Sequence, residues 1–291
     1  MLPFGLPMTT RVRAVTVARP VPAARRLGFV GLIIQGVLDL KTRGRLIQHL
    51  VSTDLKRTHA DTVIGQLWWL IDPFFQMAIY SILVTVIFHK KIEDAPLFLF
   101  AAILPWKWFQ STVSEATTSV TGRGNLIRQL QFPKIVLPAA ATLAGSVSFF
   151  FGLFSLALLY VFYPHHLSHW LLTIPIIAAV QFVFTLALSI LFSAVNTFYR
   201  DVQNLLRHVM RIWFYMSPAL YSLADLQGSG FRYVLAFNPF TYILESYRNV
   251  AYYHAAPEWG ALAGVLALSL VLLAFSIWVF KRVETGFAKI L

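Results

Sequence analysis

Residues Gly122–Pro138, GRGNLIRQLQFPKIVLP, form a basic, half-polar insert between two long apolar runs. The pattern predicts a short amphipathic helix with Asn125 as its N-cap, ending at Phe132 because the residue before Pro133 is disfavoured in the helical conformation. One side of this helix would carry Leu126, Ile127 and Leu130, and the other Arg128 and Gln129. Two interpretations stay open here: another protein pushes on the insert, or its basic residues hold an ordinary cytoplasmic loop at the lipid headgroups.

The composition around this insert is that of a membrane protein. Hydrophobic residues make up 58% of the 291, and charged residues only 12%, whereas soluble domains carry about 25% charged residues. The net charge of +12 is expected of cytoplasmic connections, and no soluble basic domain is long enough to bind nucleic acid alone. Because the chain has no cysteine, disulfides, thiolate metal ligands and a cysteine nucleophile are excluded.

The first 43 residues predict a basic, flexible cytoplasmic tail followed by an interfacial segment. Prolines and arginines interrupt residues 1–26, which show no apolar region with a signal-peptide cleavage site. The apolar run Gly28–Leu40 is too short to cross about 30 Å of hydrocarbon. Residues 44–60 then predict an amphipathic interface helix in the headgroup plane. Leu50 belongs to its apolar stripe, and Asp54, Lys56 and Arg57 lie elsewhere on its circumference.

Six further segments are long and apolar enough to span a bilayer, since about 20 helical residues reach across about 30 Å. They are 65–88, 96–119, 135–162, 170–198, 205–223 and 259–280. The predicted fold class is therefore an all-α integral membrane protein with six transmembrane helices. Residues 224–257 predict re-entrant helices of an outer gate, or an interfacial aromatic cap. Asn238-Pro239 interrupts that region, and a helix after it would place Glu245 and Arg248 one turn apart.

Six spans place both chain ends on one side of the membrane. Lys and Arg accumulate in cytoplasmic connections. Most of the 24 Lys and Arg residues lie on the side of the chain ends, whereas the opposite connections hold only Lys90, Lys91, Arg232 and Arg248. We therefore expect both termini and the insert to lie in the cytoplasm.

Motifs for nucleotide binding and catalysis are missing from the sequence. Gly122-Arg123-Gly124 lacks the length and the Lys-Ser/Thr of a phosphate-binding loop, and neither HExxH nor GxSxG occurs. If ATP drives this protein, a second chain must bind it. His165, His166 and His169 have a spacing compatible with a metal site, but their short loop lacks an acidic partner. We therefore expect a solvated loop and no metal.

Two charged positions lie within predicted spans. Asp72-Pro73 matches an N-cap followed by the first helical residue, which we favour over a role in ion coupling. Lys107, between Trp106 and Trp108, would face a water-filled path or a partner such as Glu115, unless Pro105 places it near enough to the surface to snorkel. Our hypothesis is that Lys107 contacts an anionic group of a transported molecule.

Aromatic residues make up 15% of the chain, more than two interfacial belts require. Flat rings suit the C–H faces of sugars, so some of them are candidates to line a path for a glycan, and ordinary packing between helices is the alternative. The candidates are Tyr215, Tyr221, Phe237, Phe240 and Tyr242, together with Trp106 and Trp108 beside Lys107.

Four blocks, in order and at matching topological depth, resemble a known family. They are LIQHLVSTDLKRTHADTVIGQLWWLIDP (46–73), LIRQLQFPKIVLP (126–138), NTFYRDVQNLLRHVMRIWFYMSPALYSL (196–223) and FNPFTYILESYRNVAYY (237–253). The chain resembles, from about Leu46 to Arg282, the permease subunit of ABC-2 type polysaccharide exporters. That family moves O antigen, teichoic acid and related lipid-linked glycans out of the bacterial cytoplasm. The long basic tail and Lys107 depart from the family pattern and leave the substrate open.

The resemblance implies a homodimer in the bacterial inner membrane with two copies of a separate ATPase, which would bind ATP and magnesium while this chain carries no cofactor. Interface helix 44–60 and coupling helix 122–133 would contact that ATPase, and helices within 231–253 would form the outer gate. ATPase closure would move the coupling helix and separate spans one and five at the dimer centre. Arg200-Asp201 would be a structural turn. An ABC-2 exporter of a drug or lipid, a membrane-embedded glycosyl or acyl transferase and a membrane scaffold are the alternatives.

Overall fold

A computed structural model describes residues 28–58, 65–87, 89, 91–226 and 230–290. The predicted N-terminal tail before Gly28 lies outside these described residues. Over the described ranges the chain is helical, and no strand occurs in them. The helices are α1 (Phe29–Thr42), α2 (Gly44–Thr58), α3 (Trp68–Ile82), α4 (Ala95–Thr118), α5 (Gly124–Gln129), α6 (Val136–Phe162), α7 (Ile174–Phe198), α8 (Val202–Tyr215), α9 (Phe231–Ala236), α10 (Pro239–Ala251), α11 (Trp259–Val283) and α12 (Phe287–Ile290).

Four helical segments of the described chain are long and apolar enough to cross a membrane: Leu70–Ile87, Val136–Phe162, His169–Phe198 and Trp259–Gly286. They coincide with the first, third, fourth and sixth predicted spans. These apolar helices make the chain a multi-pass membrane protein. The count of six spans and the orientation of the termini stay predictions.

The second and fifth predicted spans differ from the other four. Helix α4 is 24 residues long, but its second half carries Lys107, Gln110 and Glu115, which lower its hydropathy. Helix α8 has 14 residues and ends at Tyr215, so the continuous helix predicted over 205–223 is wrong. The chain turns immediately afterwards, because Pro218 cannot continue a helix and the residue before it is disfavoured in the helical conformation.

The start of α3 corrects the interpretation of Asp72. The helix begins at Trp68 with Leu67 as its N-cap, so Asp72 and Pro73 lie inside it. Asp72 therefore does not cap a helix. The helix passes through Pro73 and continues into a π-helical turn at Leu83–Ile87, since a segment in lipid must satisfy its backbone internally.

Helix α4 lies at the centre of the fold, with α3, α6, α7 and α10 packed around it. Gly145 of α6 sits directly against Thr112 of α4, and a Cβ at this glycine would lie 2.0 Å from the threonine hydroxyl oxygen. Small residues at such positions let two membrane helices approach closely. Helix α4 is almost entirely buried along its first half.

The bundle has two ends, which carry different chemistry. At the first, which we call the α5 end, lie the C-termini of α4, α7 and α11 and the connection that contains α5. At the other, the histidine end, the described residues of the connections 83–94, 163–173 and 216–258 meet. Hydrogen bonds between these connections hold the histidine end together: the hydroxyl of Tyr252 donates to the carbonyl oxygen of Glu93 over 2.7 Å.

Candidate coupling surface and translocation path

The segment 122–133 contains a helix that is shorter than predicted. A 3-10 turn at Thr121–Arg123 runs directly into α5, and Arg123 occupies the N-cap without a side-chain capping bond. Asn125 is therefore not the N-cap, because the preceding turn already makes the chain helical at Gly124. The helix ends at Gln129, and Leu130 is extended.

Burial divides the apolar residues of this segment into two groups. Ile127 and Phe132 are buried in a cluster with residues of α2, α6 and α11, and Pro133 is buried as well. Leu130 instead exposes 54% of its surface. Ile127 and Phe132 of the predicted coupling helix are thus covered by their own chain, to which they anchor the segment.

The exposed residues form a continuous surface at the tip of the α5 end, with Leu126 half-buried at its border. We call this surface the coupling patch. It consists of Asn125, Arg128, Gln129, Leu130 and Gln131. The exposed Leu130 is surrounded by amide and cationic side chains. This mixture is more typical of a protein–protein contact than of a solvated loop.

Helix α2 supports the coupling patch from one side. Its residues Ile47 and Leu50 are buried in the cluster that holds Ile127, and an ion pair joins Asp54 to Arg123 just before α5. Lys56 and Arg57 are exposed, as the amphipathic pattern predicts. Arg57 and Gly122 line one cleft, so the cationic end of α2 lies beside the turn that leads into α5.

A second set of charges, which the sequence analysis missed, supports the patch from the other side. Lys281 Nζ lies 2.8 Å from Asp39 Oδ2 and also pairs with Glu284, whose carboxylate accepts the backbone N–H of Lys134. These contacts join α1, the end of α11 and the segment after α5. The spacing of Lys281 and Glu284 was visible in the sequence, but Asp39 lies 242 positions from the lysine.

The turn between α7 and α8 depends on a residue other than the predicted pair. Arg200 and Asp201 are both exposed. Asn196 is buried: its amide donates to the carbonyl oxygen of Thr117 over 3.1 Å, and its amide oxygen accepts the backbone N–H of Gln203 over 3.1 Å. Asn196 thus connects the turn to α4, and a polar residue inside an apolar run was the signal for it.

Lys107 has a partner within its own chain. It forms an ion pair with Asp72 of α3, and Glu115 lines the same cavity of about 180 Å³ without being this partner. The proposed pairing with Glu115 is therefore wrong, because α3 brings a carboxylate closer than the next turns of α4 do. With its charge compensated, Lys107 no longer requires an anionic group of a substrate.

The aromatic residues that are candidates to line a glycan path differ in how deeply they are buried. Trp106, Trp108 and Phe240 are packed in the core, where Trp106 meets Phe240 edge to face at a centroid distance of 5.0 Å. Neighbouring helices of the same chain cover these three rings, and Trp108 also lines the cavity beside Lys107. Tyr215 and Phe237 are exposed, the latter by 90%. Tyr221 and Tyr242 are half-buried and donate to the carbonyl oxygens of Tyr215 and Ala236.

The region between α8 and α11 is organised by Asn238 and Arg248. Asn238 caps α10 and accepts a hydrogen bond from the indole of Trp213 over 2.9 Å. The fully buried Arg248 forms an ion pair with Glu245, with 2.8 Å between Nη1 and Oε1. The predicted spacing of one helical turn brings these two side chains together. Its guanidinium also donates to the carbonyl oxygens of the turn after α8, including that of Pro218 at 2.7 Å. Helix α10 is thereby fastened to the chain reversal at the end of α8.

At the histidine end, two of the three candidate metal-ligating histidines come together. His165 and His166 both meet Asp94, whereas His169 stacks on Trp170. Partial burial tends to raise the pKa of the Asp94 carboxyl, but the hydrogen bonds and charges of the two histidines outweigh it and leave that pKa below its ordinary value. The acidic partner that the histidine loop lacks is thus supplied by another connection.

Comparison with known proteins identifies the family. Residues 45–252 match the model of the ABC-2 type transporter family. A Myxococcus xanthus protein, the O-antigen export system permease protein RfbA, is 31% identical over 248 residues, which cover 85% of this chain and 95% of that relative. A Klebsiella pneumoniae protein of the same name is 26% identical, over 84% and 95% of the two chains. The match over most of both chains shows that this protein belongs to the ABC-2 type transporter family.

Proposed function

We propose that this chain is the permease subunit of an ATP-driven exporter that moves a lipid-linked polysaccharide, such as an O antigen or a teichoic-acid-like polymer, across the bacterial inner membrane. Membership of the family makes it the membrane subunit of a transporter and implies a nucleotide-binding ATPase partner. The relatives named as O-antigen export permeases support the polysaccharide class. We further propose two permeases and two ATPases in the working unit.

The coupling role is inferred from the contacts that fix the coupling patch to its own chain. Leu130 is exposed at its tip, while buried Ile127 and Phe132 fix the segment from below. The Asp54–Arg123 pair and the Lys281 charges connect it on both sides to α1, α2 and α11. A push on the patch would therefore be transmitted to these helices as a unit, which is what a coupling helix requires. Nucleotide and magnesium would be bound by the partner.

The path is proposed to run between two copies of the chain, along α3 and α8. Helix α8 exposes Leu205, Ile212 and Tyr215, and between them the polar residues Arg207, His208 and Arg211. Charged residues within membrane segments face protein or water rather than lipid. This mixed surface suits a water-filled path lined partly by rings, and the exposed Phe237 lies beyond its end. Helices α9 and α10 are the proposed outer gate.

Leu130→Asp tests the coupling proposal. The permease is co-purified with the Walker-motif ATPase encoded beside it, and ATP hydrolysis and glycan export are measured. We expect the complex to lose most of its transport and at least tenfold of its transport-coupled ATP hydrolysis, because a carboxylate enters an apolar protein contact. The patch is exposed, so the isolated permease should unfold at an unchanged temperature.

Leu167→Asp is the matched control, since Leu167 is 60% exposed at the histidine end. It should leave ATPase binding and hydrolysis unchanged. Normal coupling in the Leu130→Asp complex would contradict the proposal. Coupled ATP hydrolysis that responds to a drug or a free lipid and ignores the glycan would support export but contradict the substrate class.

A further inference from the structure

We propose that Asp94, His165 and His166 form a binding site for one divalent transition-metal ion of the zinc type at the histidine end, where it joins two connections of the bundle. Asp94 belongs to the connection between α3 and α4, and the two histidines to that between α6 and α7. A third connection, between α10 and α11, supplies Tyr252 and His254 around them. The proposal is independent of the transported substrate.

Each of the three side chains places one potential ligand atom close to those of the other two. His165 Nε2 lies 2.7 Å and His166 Nε2 3.0 Å from the same oxygen, Asp94 Oδ2, and all three ligand atoms lie within 4.8 Å of one another. Bonds of 2.0–2.1 Å from a tetrahedral zinc ion place neighbouring ligand atoms about 3.3 Å apart. Because His165 is 60% exposed, a small rotation of its ring opens that space.

The hydrogen bond on the far side of His166 prepares the ring for a metal. Its Nδ1 lies 2.8 Å from the carbonyl oxygen of Tyr252, which can only accept, so Nδ1 carries the proton. The other ring nitrogen, Nε2, lies 3.0 Å from Asp94 Oδ2. Metal-ligating histidines commonly donate their other N–H to a backbone carbonyl in this way, which fixes tautomer and orientation.

Asp94 Oδ2 lies 2.7 Å from a ring nitrogen of His165 and 3.0 Å from one of His166. A single divalent ion would bind all three atoms together. Two imidazoles and one carboxylate suit zinc, and also nickel or copper, better than magnesium or calcium, which prefer oxygen ligands. The fourth position is open to water.

The backbone at this place is strained in a way that agrees with a site. Asp94 has φ 45° and His254 has φ 55°, a left-handed conformation that is uncommon outside glycine and clusters at functional positions. Tyr252 stacks on the His166 ring at 4.8 Å, with an angle of 18° between the planes. The ring is therefore held in place before any ion arrives.

The test uses the full chain in detergent, purified with an affinity tag free of histidine and treated with a chelator. Zinc is titrated by calorimetry, and cobalt by visible absorption, which reports tetrahedral coordination. We expect one ion per chain and a rise in the unfolding temperature on zinc addition. His165→Ala and Asp94→Asn should each weaken zinc binding at least tenfold and abolish that rise.

His169→Ala is the matched control, because His169 lies in the same connection but outside the cluster. Its zinc affinity should equal that of the unchanged chain. His165 is mostly exposed, so its variant remains folded and its loss of zinc affinity is interpretable. Absence of stoichiometric zinc uptake by the unchanged chain, or equal affinity in the His165→Ala variant, would overturn the proposal and leave a proton between His166 and Asp94.

Discussion

At the scale of single residues, Arg248 shows how a buried charge is accommodated. Its guanidinium meets Glu245, three backbone carbonyls and the face of Phe98, whose ring centroid lies 4.0 Å away. Desolvation of such a charge is offset only if its hydrogen bonds are nearly all made. The planar fork of arginine reaches several acceptors at once, which a lysine ammonium cannot do.

Replacement of Arg248 by methionine should therefore destabilise the protein strongly. Removal of one partner of a buried pair costs roughly 3–5 kcal/mol, because the other charge is left uncompensated. Thermal unfolding of the purified chain in detergent measures the loss. Arg248→Lys should recover less than half of it, since the contacts to Pro218 and Tyr221 need the fork.

The control is Arg207→Met, at an exposed arginine of α8 that contacts Asn204. We expect this variant to stay within about 0.5 kcal/mol of the unchanged chain, as surface substitutions do. Equal losses in both arginine variants would refute the special role of Arg248.

At the scale of elements, α5 and α8 show what a hydrophobic pattern leaves open. Periodicity predicted a helix at each place, because apolar side chains recur every three or four residues. It did not tell which apolar residues the chain itself covers: Phe132 is buried, and Leu130 is exposed. The periodicity also did not predict that α8 ends at Tyr215, because the residues after Tyr215 are as apolar as those before it. The chain turns there because of Pro218.

Helix α8 is the element for which we predict a self-contact. The chain has no native cysteine, so Ile212→Cys, with its side chain 59% exposed on α8 in the unchanged protein, introduces a single thiol. We expect this variant to crosslink to a second copy under mild oxidation in membranes. Gel mobility of the crosslinked dimer is the measurement.

Phe154→Cys is the matched control, because Phe154 is 66% exposed on α6, away from the proposed dimer centre. It should remain monomeric on the gel. Efficient crosslinking through Phe154→Cys with none through Ile212→Cys would move the contact between copies to α6.

At the scale of the whole molecule, the two ends of the bundle differ in charge and in chemistry. The α5 end holds most of the cationic residues of the described chain together with the coupling patch, whereas the histidine end holds α9, α10 and the Asp94 cluster. This polarity agrees with the positive-inside rule. It leads us to predict that the α5 end faces the cytoplasm.

Two glycine positions test this orientation. Gly122 at the α5 end and Gly230 at the histidine end are exposed, and a Cβ would meet nothing within 4 Å at either. Single cysteines placed there should leave the fold unchanged. In intact spheroplasts a membrane-impermeant maleimide should label Gly230→Cys, and Gly122→Cys only after permeabilisation. The reverse pattern would invert the orientation.

The sequence by itself determined the membrane class, the position of most helices, the amphipathic α2 and the family, because hydropathy, periodicity and the four blocks are properties of local stretches. Only the tertiary structure decided that Lys107 pairs with Asp72, that Lys281 joins α1 to α11, and that Asp94 meets His165 and His166. These charges lie far apart along the chain. Their contacts depend on how whole helices pack. A desolvated charge is compensated only by a partner that lies close to it in the folded protein, and a local sequence pattern does not show which residues become close. In the segment 122–138 the same distinction separates the buried anchors from the exposed patch.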